Sequence, residues 1–195
     1  MAISSALKAF LTQQNVAFTA RRHPLAYTAQ EIAAKQHVSG KQLAKCVVVK
    51  TDLGLRLAVL PAALRVDFAK LKTLLKAKRV TLASEPEIKR AFPDVEVGAM
   101  SPFGNLYNVP VVSEKVLADS PELVCNAGSH TETITLRYAD FARLAAPRIG
   151  SFGMAVIAKP AKKTTKKSSA AKKKPPTKKK AASRAAKKKR STARR

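Results

Sequence analysis

Apolar side chains at Ile3, Ala6, Leu7, Phe10 and Leu11 recur at i, i+3, i+4, i+7 and i+8. That stripe predicts an amphipathic helix, which Gln13-Gln14-Asn15 brings to a close. Thr28-Ala29-Gln30-Glu31 has the form of a capping box, with a hydroxyl and a carboxylate placed to satisfy orphan amides, and predicts a second helix through His37 that stops before Ser39-Gly40. The period then changes. Residues 46–49 and 55–60 are β-branched or apolar runs flanking Thr51-Asp52-Leu53-Gly54, which reads as a hairpin. Asp67 can cap a helix carrying Leu71, Leu74 and Leu75, and residues 80–83 read as a short buried strand. Ser84-Glu85-Pro86-Glu87 opens another helix, with Pro86 in the first turn where its missing N–H costs nothing; this helix must end before Pro93. After a loop rich in Gly and Pro come three strands expected over residues 109–113, 123–126 and 133–136, then a short helix near 138–144. Strands and helices interleave, so the expected class is α/β, a single domain with a mixed sheet flanked by helices.

Charge divides the chain. The last 37 residues hold 18 of its 38 lysines and arginines and none of its 12 carboxylates, leaving +18 on this tail and +8 on the rest. A like-charged block without aromatic residues cannot bury enough apolar surface to offset its ordering entropy, so the tail is expected to be disordered. Its lysine clusters, Lys162-Lys163, Lys166-Lys167, Lys172-Lys173-Lys174, Lys178-Lys179-Lys180 and Lys187-Lys188-Lys189-Arg190, are spaced by Ala, Pro, Ser and Thr. In composition they resemble the tails of linker histones and bacterial histone-like proteins. Lysine meets phosphate as a point charge, so binding of tRNA, other RNA or DNA by such an arm would be sequence-independent and salt-sensitive. The alternatives are an anionic lipid surface, which no amphipathic anchor or acylation motif supports, and a solubiliser without a partner.

The remaining 158 residues suffice for one ordinary domain. Neither a basic leader followed by a long apolar run nor ~18 consecutive apolar residues occurs, which predicts a cytoplasmic protein without a membrane partner. Cys46 and Cys125 lie in strand-like apolar runs and read as reduced, buried small hydrophobes. His23, His37 and His130 have no ligand spacing to each other or to the cysteines, so neither a metal nor another cofactor is expected.

Two segments hold candidate chemistry. Gly98-Ala99-Met100-Ser101-Pro102-Phe103-Gly104 is either a tight turn or a loop whose amides point at a developing oxyanion, since glycine permits close approach of backbone to ligand. Gly128-Ser129-His130 places a hydroxyl and an imidazole between two strands, at a sheet edge, in a structural or a catalytic role.

Taken with His23-Pro24, Tyr27-Thr28-Ala29-Gln30-Glu31-Ile32-Ala33, His37-Val38-Ser39-Gly40, Leu43-Ala44-Lys45, Leu106-Tyr107 and Asn126-Ala127, these segments resemble, in order and spacing, the YbaK-type aminoacyl-tRNA deacylases. That superfamily includes the editing domain inserted in bacterial prolyl-tRNA synthetases. The resemblance implies an editing domain over residues 1–153, with a tail over 154–195 that it does not cover. It also implies a free-standing hydrolase, acting as a monomer, that cleaves the ester between a wrong amino acid and the 3′ end of a tRNA.

By the same resemblance Lys45 lines the pocket, and the G-x-x-x-P loop that holds the aminoacyl carbonyl by backbone amides maps onto Gly98, Ala99, Met100, Ser101 and Pro102. His130 joins this catalytic set, and His23, Tyr27, Gly128 and Ser129 are expected to bind substrate. Two departures bear on the amino acid selected: Ser101 stands where many relatives have a second proline, and Lys45 is followed by Cys46, both expected to line or border the pocket. Ala99 and Met100 are candidate walls, and alanine, serine, threonine and cysteine are candidate victims, in keeping with a second sieve that admits small residues. Such a site needs no nucleophilic residue, because a positioned water, oxyanion donors and the ribose 2′-hydroxyl suffice. Without sequence signs of burial or like charge, Lys45 is expected to orient the terminal phosphate or ribose; the competing reading is a strand-end lysine in solvent. Two other classes remain open: a nucleic-acid-binding or nucleoid-associated protein with a silent editing-like domain, and a module that binds small amino acids or charged tRNA without turnover.

Overall fold

The computed structural model describes residues 3–155; the basic tail lies outside the described residues. Helix α1 (Ser5–Gln13) buries Leu7 and Leu11, and Asn15, at φ 51°, turns the chain into β1 (Phe18–Arg22). Helix α2 (Ala29–Gln36) begins at Thr28, whose hydroxyl accepts the Glu31 amide at 3.2 Å. The reciprocal bond lies one residue upstream of a capping box, because the Glu31 carboxylate accepts the Tyr27 amide rather than that of Thr28. The hairpin forms as expected from β2 (Leu43–Thr51) and β3 (Gly54–Pro61), with Gly54 taking φ +97° after the turn.

Strand β4 (Leu64–Val66) leads to α3 (Phe68–Leu75), where the Asp67 carboxylate accepts the Ala69 and Lys70 amides. There follow β5 (Val80–Leu82), α4 (Glu85–Ala91), β6 (Val111–Glu114), β7 (Glu122–Asn126), β8 (Glu132–Arg137), α5 (Tyr138–Ala145), β9 (Arg148–Gly150) and β10 (Gly153–Ala155). β10 pairs with β4 and runs past residue 153, where the sequence reading ended the domain. Glu114, buried at the end of β6, accepts the amides of Phe152 and Gly153 and pins that last crossing.

The main sheet is mixed and runs β1-β8-β7-β2-β3-β6-β9, with β5 on the far half of β2. Alternation along β2 and β7 splits the apolar residues between two faces. On one face Ala44, Val48, Leu123 and Cys125 pack with Leu7, Leu11, Phe92, Phe103 and Phe141, so α1, α5 and the chain around α4 cover it. On the other, Val49, Ala58 and Leu60 meet Leu71 and Leu75 of α3, while Leu43, Val124 and Ala62 meet Ile32 of α2.

Two expectations are corrected. β5 is an outer strand rather than a buried one: it pairs only with β2, and Leu82 is 62% exposed. The Gly128-Ser129-His130 turn is not at a sheet edge, since β7 and β8 are interior strands and the turn closes their hairpin at the end of the sheet. Both cysteines are free, Cys125 buried and Cys46 half-buried, and burial raises both thiol pKa values. No described helix is long and apolar enough to cross a membrane.

Candidate functional site

The site is built on the sheet face under α2. β2 and β7 run parallel with Leu43 opposite Val124 and Ala44 opposite Cys125. The next residues, Lys45 and Asn126, therefore leave the same face at the same level. Asn126 in turn pairs with Thr133 of β8, and Thr133 with Arg21 of β1. A polar row, Lys45, Asn126, Thr133, Arg21, thus crosses four strands. Cys46 is corrected here: alternation sends its side chain to the opposite face, where it packs against the core of α1 and α5, so it does not border Lys45.

The two sequence motifs converge on this row. Gly128 donates its amide to Ala99 O at 3.1 Å, Asn126 Nδ2 donates to Gly98 O at 3.4 Å, and His130 Nε2 lies 3.0 Å from Val97 O. Glu96 ties both loops together: its amide donates to Gly128 O, its carbonyl accepts the Ala99 amide at 2.9 Å, and its carboxylate accepts the His130 amide at 2.8 Å. Gly98 holds φ +94° with His130 directly behind it, and Gly128 holds φ +104° against Ser4. From the other side Ala26 donates to His130 O and His23 to Thr131 O, which brings the segment before α2 over the turn; the Tyr27 ring lies 5.0 Å from the His130 ring. Ser129 contacts Thr131 through its hydroxyl, 3.3 Å away.

Within the G-x-x-x-P loop the amides are not all free. Ala99 N is committed to Glu96 O and Gly98 N faces Met100 Sδ at 3.3 Å, while Met100 and Ser101 donate their amides to no protein acceptor among the described residues. Met100 and Phe103 anchor the loop in the core. Pro102 and Ser101 are also buried.

Lys45 differs from expectation. Its ammonium donates to Ala62 O at 3.3 Å, the carbonyl that also accepts Gln30 Nε2. Burial, and secondarily the positive charge of Arg65, lower its pKa below the ordinary lysine value. Neither Lys45 nor Arg65 has a carboxylate partner among the described residues. The charges of Lys45 and Arg65 are therefore left unneutralised by any described carboxylate.

The buried polar atoms beside this row are unusual in kind. His23 Nε2, Gln36 Oε1, Asn126 Oδ1 and His130 Nδ1 have no hydrogen-bond partner among the described residues. Because His130 Nε2 faces a carbonyl it carries the proton, which leaves Nδ1 as an acceptor; the contact of His23 Nδ1 with Pro24 O leaves Nε2 likewise. Asn126, Thr133, Gln36, Glu96 and Arg65 were not singled out from sequence. The polar residue ending the run Leu123-Val124-Cys125-Asn126 was the one visible signal. Among the described residues no three His, Cys, Asp or Glu side chains gather as metal ligands.

Apart from Arg21 and Ser4, these residues fall within residues 23–144, which match the model of the aminoacyl-tRNA editing domain. The chain belongs to that family. No curated protein matches the sequence. Among solved structures, the hypothetical protein APE2540 superposes with TM-score 0.70 at 16% identity, over 77% of this editing-domain chain and all of its own. A candidate trans-editing enzyme for prolyl tRNA synthetase gives TM-score 0.66 at 17% identity, over 78% of this chain and 99% of its own. A candidate signal transduction protein from Marinobacter aquaeolei VT8 gives 0.60 at 14% identity, with 76% of this chain and 30% of that one covered. These likenesses establish the editing-domain fold.

Glu96 gives a direct test of how the editing site is held. Glu96→Ala should lower kcat for ester cleavage about tenfold or more with KM little changed, because the His130 amide loses its carboxylate acceptor while the main-chain bonds of Glu96 remain. Glu96→Gln keeps a carbonyl oxygen for the His130 amide and should recover most of the rate. Steady-state kinetics on an aminoacyl-tRNA with the three proteins checks this; equal kcat for Glu96→Ala and wild type would remove Glu96 from the account.

Proposed function

We propose that this protein is a trans-acting deacylase that hydrolyses the ester of a mischarged tRNA carrying a small amino acid, with prolyl-tRNA acceptors as its substrates. The observation that carries this reading is the hydrogen-bonded junction of the Gly98 loop, Asn126 and the Gly128-Ser129-His130 turn beside Lys45. The prolyl assignment is supported by the likeness to the candidate prolyl trans-editing enzyme.

In this mechanism the ester carbonyl lies against the free amides of Met100 and Ser101, which stabilise the tetrahedral oxyanion. The His130 Nδ1 lone pair holds the attacking water, with the Tyr27 ring tilted against the imidazole. The water oxygen bonds to the carbonyl carbon; as the C–O bond to the ribose breaks, the water's proton passes to the departing 3′-oxygen, directly or through the neighbouring 2′-hydroxyl. Lys45, with Arg65, holds a terminal phosphate and so fixes the 3′ end. No covalent enzyme intermediate is required.

The division of the chain at about residue 153 into this hydrolase and a basic arm belongs to the same proposal. A +18 arm adds phosphate contacts that are the same in ground and transition states. Removal of residues 159–195 should therefore raise KM, leave kcat nearly unchanged, and flatten log K against log salt by about 0.7–0.9 per lost phosphate contact. Filter binding of tRNA and DNA across a salt series, with single-turnover kinetics, measures all three; an unaltered salt slope would make the arm a solubiliser. That same charge favours one second reading, a nucleic-acid-binding protein with a silent editing domain, which predicts tight DNA binding and no release of amino acid.

A further inference from the structure

The editing site leaves buried acceptor atoms where an ester carbonyl alone would ask for donors. Asn126 is nine-tenths buried, and its Nδ2 donates to Gly98 O, a group that can only accept; the amide is therefore oriented with Oδ1 left over, buried and unpartnered. Its cross-strand partner Thr133, 1% exposed, receives Gln36 Nε2 at 2.6 Å, which leaves Gln36 Oε1 likewise buried and unpartnered. A cross-strand pair holds its Cβ atoms roughly 5 Å apart, so the Gln36 amide is bonded to the side chain that stands beside Asn126 in the sheet. Buried acceptors without donors are costly and rare without a reason.

We propose that Asn126 Oδ1 and Gln36 Oε1 form a subsite for the α-ammonium group of the aminoacyl ester. The inference rests on the deacylase reading and names what that reading leaves open, namely how the enzyme grips the amino acid independently of its side chain. Position and charge both fit. The α-nitrogen is two bonds from the carbonyl carbon, and Oδ1 belongs to the amide that braces Gly98, at the head of the loop assigned to that carbonyl. A primary ammonium carries three donors and no acceptor, the complement of two lone carbonyl oxygens. Two cations lie along the row, Lys45 on the β2 side of Asn126 and drawn to Ala62 O, and Arg21, exposed on the β1 side of Thr133, whereas Gln36 lies on the β8 side of Asn126. The ammonium and the phosphate-binding lysine are thus served from opposite sides of one asparagine.

The test compares two non-hydrolysable adenosine 3′-amides, one bearing an alanyl group and one a propionyl group that lacks only the amine, by calorimetry on the full chain. Wild type is expected to bind the alanyl form at least about tenfold more tightly, as a charge-assisted pair to buried oxygens requires. Asn126→Ala should reduce that ratio to about threefold or less. Because Asn126 also braces Gly98, Gln36→Leu serves as the second variant and should reduce the ratio while leaving propionyl binding unchanged. Equal binding of the two analogues by wild type, no binding of either, or a ratio untouched in both variants overturns the subsite. Release of amino acid from mischarged tRNA is scored in parallel: a protein that hydrolyses the ester without preferring the amine loses this subsite alone, and one that prefers the amine without hydrolysis loses the deacylase reading.

Discussion

Gly98→Val should lower kcat/KM for ester cleavage about 100-fold, the range expected when an oxyanion donor is misplaced. Gly98 has φ +94°, a region that β-branched residues occupy only under strain of about 1–3 kcal/mol. A Cβ at this position would lie 3.3 Å from His130 Cε1, so the substitution presses on the imidazole whose Nε2 is held by Val97 O. Both the loop proposed to hold the carbonyl and the ring proposed to hold the water move. Gly98 itself lies outside every helix and strand, so far-ultraviolet circular dichroism should be unchanged. Kinetics on a mischarged tRNA, with circular dichroism on the same preparation, decides the matter; wild-type kcat/KM in a folded Gly98→Val protein would remove this loop from the site.

Lys45→Ala should reduce kcat/KM at least about tenfold, mainly through KM, because it removes a charged contact to the terminal phosphate. It should not destabilise the fold. Burial and Arg65 oppose the charge of Lys45, so its pKa is lower folded than unfolded. The unfolded chain then binds more protons across that interval, and wild-type stability rises as pH increases from the folded pKa toward 10.5. Lys45→Ala lacks that rise and should equal or exceed wild type in stability below it. Urea melts at neutral and alkaline pH, beside the kinetics, separate the two roles: loss of activity together with loss of stability would mark Lys45 as structural.

The helices were legible where pattern and capping agreed, as at Thr28, Asp67 and Ser84, and the β2–β3 hairpin was legible from its apolar runs and Gly54. The strands that escaped have physical reasons to do so. β4, β9 and β10 are three residues long, and β1, Phe-Thr-Ala-Arg-Arg, is an edge strand whose side chains face water, so none carries an apolar alternation. At the site, motif spacing pointed to Gly98–Pro102 and Gly128–His130, but not to what joins them. Asn126 and Lys45 come to one level of the sheet only because β7 and β2 pair in parallel across some eighty residues of sequence, and the charge of Arg65 bears on Lys45 only because the chain turns back after β3. Such juxtapositions are set by topology. The burial that lowers the Lys45 pKa is of this kind, and the sequence reading that denied it lacked the fold.

The central claim is hydrolysis, and the most direct measurement is a time course of amino acid release from a panel of mischarged tRNAs. Prolyl-accepting tRNA charged with alanine, serine, threonine or cysteine would be incubated with the full chain beside correctly charged prolyl-tRNA. The account predicts steady release of at least one of the small amino acids, no release of proline, and loss of the activity in Gly98→Val. Persistence of every ester in the panel, in protein that still binds tRNA and DNA tightly, would contradict it and leave an editing fold that serves only as a platform for nucleic-acid binding.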